Sequence, residues 1–274
     1  MERKPEWLKT KLTIDKDFTK VTQTLKRYNI YTVCEGARCP NKSECWGSGT
    51  ATFMILGHVC TRNCSFCAVK TAEKGEAIDE NEPANLGKAV AELNLKYVVL
   101  TSVDRDDLPD NGAKHYAKCI HAIKQTGAGV EALIPDYLEE ELKTVLDAKP
   151  DVLAHNIEVV ERLQNLRDRK ASYRRSLQVL EEAKKISPQL KTKSSIMLGL
   201  GETEEEIITA MNDLREVDCD SLVLGQYLQP TKKQVPAKGY ITPEKFEEYA
   251  EKATLLGFSK VISEPLARTS YKPC

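Results

Sequence analysis

Residues 51–67 read ATFMILGHVCTRNCSFC and combine two signals in one short stretch. The first seven residues form an apolar run that ends at a glycine, which is typical of a buried β-strand. Soon after it come Cys60, Cys64 and Cys67 in C-x3-C-x2-C spacing, here called the second triplet. A strand that leads into a loop with three thiols predicts a cluster site at one edge of a sheet.

Further strand and helix signals alternate along the rest of the chain. The strand candidates are short, continuous apolar runs, which favour a parallel sheet that is covered on its outer face. Thr203 and Glu206 form a capping box at the start of one helix, and Thr242 with Pro243 begins another. The other strand candidates are residues 97–101, 130–134, 152–154, 195–198 and 221–224, and the other helix candidates are 138–146 and 173–186.

Six βα units follow from this alternation, which is too few for a closed eight-stranded barrel. Because crossovers between parallel strands are right-handed, the pattern predicts an α/β fold with an open, partial (β/α)6 barrel. We expect three parts. They are an N-terminal extension over 1–50, the partial barrel over 51–258 and a short C-terminal segment over 259–274.

The N-terminal extension carries its own group of thiols. Cys34, Cys39 and Cys45 have C-x4-C-x5-C spacing and are here called the first triplet. Each triplet is one ligand short of the four that a structural zinc site takes from the protein. A four-iron cluster can instead leave its fourth iron for another ligand. The triplets therefore predict two iron–sulfur clusters, and structural zinc stays open as the alternative.

Composition excludes several other classes of protein. Nine cysteines, an odd number, and a charged N-terminus argue against a secreted disulfide framework and favour a cytoplasmic or similarly reducing compartment. Cys119 and Cys219 stand alone and are expected to be buried and inert. A net charge of −1 and the lack of an 18-residue apolar run predict neither nucleic acid nor a membrane as a partner.

Polar residues follow one predicted strand after another. In βα barrels the C-terminal ends of the strands form the working face, here called the rim. Asp104 follows the second strand, Asn156 the fourth, and Gln226 with Tyr227 the sixth. Each alone is explained by a helix cap or a turn. Their shared placement beside the second triplet predicts a binding site at the rim.

The loop CTRNCSFC over 60–67 resembles the cluster loop of the radical S-adenosylmethionine (SAM) superfamily, whose fold is a partial βα barrel. The resemblance implies a [4Fe-4S] cluster whose open iron chelates SAM and whose electron cleaves it to methionine and a deoxyadenosyl radical. It also implies SAM contacts at the rim. Asp104 would lie on the side of the amino group, and Asn156, Gln226 and Tyr227 nearer the ribose and adenine.

The first triplet narrows the resemblance. Residues 34–46, CEGARCPNKSECW, are similar to the auxiliary-cluster loop of lipoyl synthases. This likeness implies a second [4Fe-4S] cluster on the first triplet, with the last serine of a C-terminal Arg-Ser-Ser-Tyr motif as its fourth ligand. Here residues 268–271 read Arg-Thr-Ser-Tyr, so Ser270 is the matching position and Thr269 is a departure. Other segments similar to that family are residues 4–8, 49–54, 103–108, 133–136, 199–203 and 225–230.

Likeness to lipoyl synthases implies a sulfurtransferase that inserts two sulfur atoms at C6 and C8 of a protein-bound octanoyl-lysine. The sulfur would come from the auxiliary cluster, so Cys60, Cys64, Cys67 and Ser270 are the expected catalytic residues. Cys274 is expected to be a free thiol.

The partners implied are an octanoylated lipoyl domain of an oxo-acid dehydrogenase or a glycine-cleavage carrier, an electron donor such as flavodoxin or ferredoxin, and an iron–sulfur cluster carrier. Two alternatives are another radical SAM sulfur-inserting enzyme, biotin-synthase-like or methylthio-transferring, and a two-cluster electron carrier.

Overall fold

The structure is a computed structural model that describes residues 4–10, 16–47 and 51–270. Eight of the ten strands in this part of the chain form one sheet, while β3 and β4 pair separately. The strands are β1 (Tyr31–Thr32), β2 (Thr52–Ile55), β3 (Val59–Cys60), β4 (Lys70–Thr71), β5 (Tyr97–Ser102), β6 (Gly129–Leu133), β7 (Val152–Ala154), β8 (Lys191–Leu198), β9 (Ser221–Gln226) and β10 (Lys260–Glu264).

The main sheet has the order β1-β2-β5-β6-β7-β8-β9-β10. From β2 to β10 every pair of neighbours is parallel. β1 adds an antiparallel edge strand through the pair Tyr31 and Met54. Since the described β1 and β10 are not neighbours, the barrel is open, and the predicted partial α/β barrel is confirmed.

The sheet has one parallel strand more than the six that the sequence predicts. β10 runs along β9 from the pair Lys260 and Ser221 to the pair Glu264 and Gly225. Its sequence, KVISE, is polar at both ends and buries only Ile262, because the strand forms an open edge of the sheet. The apolar signal is therefore too weak to identify it. The predicted C-terminal segment thus begins with a strand of the sheet.

Helices cover the outer face of the sheet and follow the predicted caps. Thr203 and Glu206 form the reciprocal capping box, and the Thr242 hydroxyl accepts from the Lys245 N–H. The helices of the described residues are α1 (Lys16–Tyr28), α2 (Val33–Gly36), α3 (Lys42–Gly47), α4 (Glu82–Leu93), α5 (Ala113–Lys124), α6 (Glu139–Asp147), α7 (Tyr173–Ile186), α8 (Glu204–Glu216) and α9 (Pro243–Leu255).

Two large groups of buried side chains fill the space between the sheet and the helices. One surrounds β2, β5 and β6, and the other surrounds β8 and β9. Cys119 and Cys219 are fully buried, as expected. No disulfide joins any of the eight cysteines in the described part of the chain. None of the helices described there is long and apolar enough to cross a membrane.

An ion pair lies in the buried centre of the sheet. Lys193 on β8 donates from Nζ to both carboxylate oxygens of Glu131 on β6, at 2.8 and 3.0 Å. Both side chains are 0% exposed. Neither charge has access to water, so each depends on the other for its stabilisation.

We predict that Glu131→Leu lowers the free energy of unfolding by about 3–5 kcal/mol, because it leaves the Lys193 ammonium buried without a counter-charge. The double variant Glu131→Leu, Lys193→Met should recover most of that loss. Urea denaturation followed by circular dichroism measures both. A double variant as unstable as the single one would contradict this account.

Candidate functional site

The loop that carries the second triplet is fixed by backbone bonds to three loops at the rim. The Thr61 N–H donates to the Asp104 carbonyl at 3.0 Å, and the Ser65 N–H donates to the Leu166 carbonyl at 2.8 Å. The Val235 N–H donates to the Ser65 carbonyl at 3.0 Å. Because these are main-chain bonds, the fold itself sets the path of the loop.

The sulfurs of the second triplet lie in poorly solvated surroundings. Burial raises the pKa of the Cys60 and Cys64 thiols to about 12, and it also raises the pKa of Cys67. The Arg62 N–H donates to the Cys60 sulfur at 3.4 Å, and the Asp168 N–H donates to the Cys64 sulfur at 3.3 Å. Thiols of this kind ionise readily only when a bound metal supplies positive charge.

The spread of the thiols distinguishes a cluster from a single ion. Three thiolates on one tetrahedral zinc, at about 2.3 Å from the metal, lie about 3.8 Å apart. In neither triplet do all three sulfurs lie within 4.8 Å of one another. In a four-iron cluster each cysteine binds a different iron, so the sulfurs are farther apart. The residues of both triplets therefore fit a [4Fe-4S] cluster better than zinc.

Arg62 places a buried cation inside the cluster loop. Its guanidinium lies 3.1 Å from the Asp106 carboxylate and 3.4 Å from that of Asp104, and it also contacts Asp136. Burial alone would lower the pKa of the Arg62 guanidinium. The three carboxylates raise this pKa by more than burial lowers it, so the net shift is upward. His155 lies 3.2 Å from the other carboxylate oxygen of Asp136. This network anchors the loop to the segments that follow β5, β6 and β7.

Asp104 and Asn156, two of the predicted SAM contacts, lie beside the second triplet. The Asp104 carboxylate is 3.6 Å from the Cys60 sulfur. The Asn156 amide donates to Glu158 at 3.0 Å. Burial is the main cause that raises the pKa of Cys64, and the charges of Asp104, Cys67 and Glu158 raise it further. The structure therefore brings both residues to the rim next to the cluster loop.

Gln226 and Tyr227 also lie near the rim, but their polar atoms hold neighbouring loops. The fully buried Gln226 amide accepts from the Ile241 N–H at 2.8 Å and donates to the Gly239 carbonyl at 3.0 Å. The Tyr227 hydroxyl donates to the Val235 carbonyl at 2.7 Å. These contacts bond both side chains to the loop over 234–241. A direct contact of either side chain with SAM stays a prediction.

The first triplet lies on a short helical segment beside β2. Cys34 is on α2, Cys45 is on α3, and Cys39 lies between them. The Cys39 N–H donates to the Cys34 carbonyl at 3.1 Å. Burial raises the pKa of Cys45 to about 12 and also raises that of Cys34. The ring of the buried Trp46 packs on Phe18 of α1 with centroids 5.2 Å apart, which fixes the segment to α1.

Residues 265–270, here called the C-terminal strap, connect the first triplet to the rim. The buried Asn41 amide donates to the Leu266 carbonyl at 2.7 Å. Gly225 on β9 allows the strap to approach closely, because a Cβ there would lie 2.1 Å from the Ala267 carbonyl oxygen. Ser270 is half-buried at the end of the strap. Tyr271 and Cys274 lie outside the described residues.

The turn that leads into the cluster loop is held by two charged side chains. Leu56 has φ +66°, an uncommon conformation for a residue other than glycine. Its N–H donates to the Glu82 carboxylate at 2.9 Å, and its carbonyl accepts from Arg105 at 3.1 Å. His115 binds the same Glu82 oxygen at 2.7 Å. These contacts stabilise the turn at the end of β2, four residues before Cys60.

Several of these residues were not among those predicted from the sequence. Arg62, Arg105 and Glu82 position the cluster loop, and Glu158 lies beside it. One signal was present for the arginines: three aspartates follow β5 within four positions, and such a group requires nearby cations when it is buried. Pairing each arginine with its aspartate nevertheless requires the three-dimensional structure.

We predict that Arg62→Met reduces the iron bound by the second triplet, because the carboxylates of Asp104, Asp106 and Asp136 then lose the one guanidinium that all three share. The test uses a chain whose first triplet is replaced by alanine, which should bind about four irons with Arg62 present. Iron is measured colorimetrically after anaerobic reconstitution. Arg174→Met, at a side chain that is 75% exposed, is the matched control and should leave the iron content unchanged. Equal iron content in both variants would contradict the role given to Arg62.

Several solved structures share the fold of this chain. The Streptococcus suis SuiB structure bound to S-adenosylmethionine aligns with a TM-score of 0.61 and 10% identity, covering 81% of this chain and 54% of that one. The structure of methylornithine synthase (PylB) aligns with a TM-score of 0.57 and 13% identity, covering 95% of this chain and 82% of that one. At these identities the likeness shows the fold alone.

Sequence comparison identifies the family. Residues 54–214 match the profile of the Radical SAM superfamily, and residues 1–39 match the N-terminal domain of lipoyl synthase. Lipoyl synthase of Methanocella arvoryzae is 51% identical over 98% of this chain and 93% of its own length. Lipoyl synthase of Caldanaerobacter subterraneus is 50% identical over 98% of this chain and 95% of its own length. The mitochondrial lipoyl synthase of Drosophila melanogaster is 51% identical over 98% of this chain and 74% of its own length. The chain therefore belongs to the lipoyl synthase family of radical SAM enzymes.

Proposed function

We propose that this chain inserts sulfur at C6 and C8 of an octanoyl-lysine on a carrier protein and takes that sulfur from a cluster on its first triplet. Family membership makes it a sulfur-inserting radical SAM enzyme with a [4Fe-4S] cluster and a SAM site. One observation supports the two-cluster arrangement most directly. The C-terminal strap bonds to Asn41 in the first-triplet segment and to Asn156 at the rim, which joins both triplets to one end of the barrel.

We assign the radical-generating cluster to Cys60, Cys64 and Cys67. Asp104 is proposed to bind the amino group of SAM, since its carboxylate lies beside Cys60. Asn156 is proposed to face the ribose from the same rim. Gln226 and Tyr227 are proposed to act by holding the loop over 234–241 against the adenine side.

We assign the auxiliary cluster to Cys34, Cys39, Cys45 and Ser270. The N-terminal extension over 1–50 and the C-terminal segment over 259–274 would then close over the barrel and share one cluster. When bound, the two clusters supply an electron for the cleavage of SAM and the sulfide that becomes part of the product. The chain would hold both at thiols that are buried, as for Cys34, or half-buried, as for Cys60, so their contact with water is limited.

The described rim has no obvious nucleophile–base pair, and the proposed chemistry does not need one. The C–H bonds of an octanoyl chain have no acidic proton that a carboxylate or imidazole could remove. The protein therefore contributes position and shielding, while the cofactors supply the reactive species. The carboxylates near the second triplet bind Arg62 and Arg105 instead.

We further propose the partners of the reaction. The substrate is an octanoylated lipoyl domain of an oxo-acid dehydrogenase or a glycine-cleavage carrier. Flavodoxin or ferredoxin is the proposed electron donor, and an iron–sulfur cluster carrier rebuilds the auxiliary cluster after turnover. A reducing compartment such as the cytoplasm suits the many reduced thiols of the chain.

The decisive experiment is an anaerobic single-turnover assay. The reconstituted protein is mixed with SAM, a reductant and an octanoylated lipoyl domain, and the domain is analysed by mass spectrometry. We expect a lipoyl product that has gained both sulfur atoms, together with 5′-deoxyadenosine. Deoxyadenosine without a sulfur-containing product would contradict sulfur insertion, and the absence of both would favour an electron carrier.

We predict that replacing Cys60, Cys64 or Cys67 by alanine abolishes the formation of 5′-deoxyadenosine, because the cluster then lacks a ligand and SAM lacks its electron source. The first triplet should still bind about four irons in these variants. Chromatography of the nucleoside and iron analysis give the two readings. Deoxyadenosine from such a variant would move the SAM cluster elsewhere.

We predict that Ser270→Cys keeps cluster content and deoxyadenosine formation but loses the lipoyl product. A serine oxygen is a harder donor than a thiolate, so its bond to iron is the easier one to break when sulfide is lost. Cys274→Ala should change neither reading. Full lipoyl formation by Ser270→Cys would remove the argument from ligand lability. Loss of the auxiliary cluster in Cys274→Ala would move the ligand to the terminus.

A further inference from the structure

The hydroxyl of Thr269 forms hydrogen bonds with two polar side chains, Ser195 and Asn156. It is 2.8 Å from the Ser195 hydroxyl and accepts from the Asn156 amide nitrogen at 3.0 Å. The same amide nitrogen donates to Glu158 at 3.0 Å. Thr269 itself is buried, with 9% of its surface exposed. A hydroxyl in this setting forms directed bonds, and their loss leaves buried groups unsatisfied.

The residues before Thr269 bring the strap into contact with both sides of the site. The Gln226 N–H donates to the Pro265 carbonyl at 3.1 Å, and Ala267 packs on Gly225. The Leu266 carbonyl accepts from the amide of Asn41, which lies between Cys39 and Cys45, at 2.7 Å. The strap is therefore bonded to the first-triplet segment at Leu266 and to the rim beside the second triplet at Thr269.

We propose that Thr269 is a positioning residue that holds the adjacent Ser270 in place for the auxiliary cluster. This inference rests on the proposed role of Ser270 as a ligand. Ser270 has to stay bound while the cluster is intact and to leave when sulfide is removed. The backbone next to it therefore needs an anchor that does not depend on the iron, and the bonds of Thr269 to Ser195 and Asn156 supply one.

Asn156 gives this anchor a second consequence. The amide that holds Thr269 also belongs to the proposed SAM site and bonds to Glu158, which lies beside the second triplet. The position of the strap and the arrangement of the rim thus share one side chain.

The test compares Thr269→Val, which keeps the size of the side chain and removes the hydroxyl, with Thr269→Ser, which keeps the hydroxyl. Both are made in a chain whose second triplet is replaced by alanine, so that all bound iron reports on the first. The rate at which a chelator removes iron is followed by absorbance. Thr209→Val, on the exposed face of α8, is the matched control.

We expect Thr269→Val to release iron about tenfold faster than the parent, the equivalent of one buried hydrogen bond. Thr269→Ser and Thr209→Val should release it at the parent rate. Ser195→Ala removes one partner of the hydroxyl without changing residue 269, and it should give an intermediate rate. An unchanged rate in both Thr269→Val and Ser195→Ala would overturn the proposal.

A second comparison separates positioning from a general structural effect. In a Ser270→Ala background, Thr269→Val should add no further acceleration, because its effect acts through the serine. Equal acceleration in both backgrounds would overturn the proposal. The assay contains neither carrier nor SAM, so it is independent of the single-turnover result. Sulfur insertion can fail while the iron-release pattern holds, and the reverse is equally visible.

Discussion

The hydrogen bonds of the C-terminal strap are the interactions on which the rest of the site depends. The strap bonds to β9 through Pro265, to the first-triplet segment through Leu266 and to the rim through Thr269. The barrel alone would present only the second triplet. With the strap in place, a segment from the start of the chain and one from its end are fixed to the same face.

Charge and burial act together at the second triplet. Its loop is held by main-chain bonds to three rim loops, and Arg62 neutralises the carboxylates that lie beneath it. The partial burial that raises the pKa of the thiols also limits the contact of this site with water. The same surroundings therefore favour binding of a cluster and suit the radical chemistry of the family.

The sequence allowed most of the barrel to be predicted because its parallel strands are buried on both faces and appear as continuous apolar runs. β10 escaped because it is an edge strand with a single buried residue. The assignment of the two cysteine triplets to clusters rests on spacing, which is a local property, and it stays a prediction. The roles of Arg62, Gln226 and Thr269 could not be predicted in this way, because each depends on partners more than ten residues away in the chain. Gln226 shows this limit most clearly. Its position near the rim was predicted, but the hydrogen bonds of its amide to the backbone of Gly239 and Ile241 were not.

The central claim is that both clusters lie at the same end of the barrel, joined by the strap. The most direct measurement is the electron paramagnetic resonance spectrum of the protein with both clusters reduced. We predict that this spectrum is broadened by magnetic interaction between the two clusters, relative to the sum of the spectra of the two variants that each keep one triplet. A spectrum equal to that sum would contradict the arrangement, because it would place the clusters too far apart to act on one substrate.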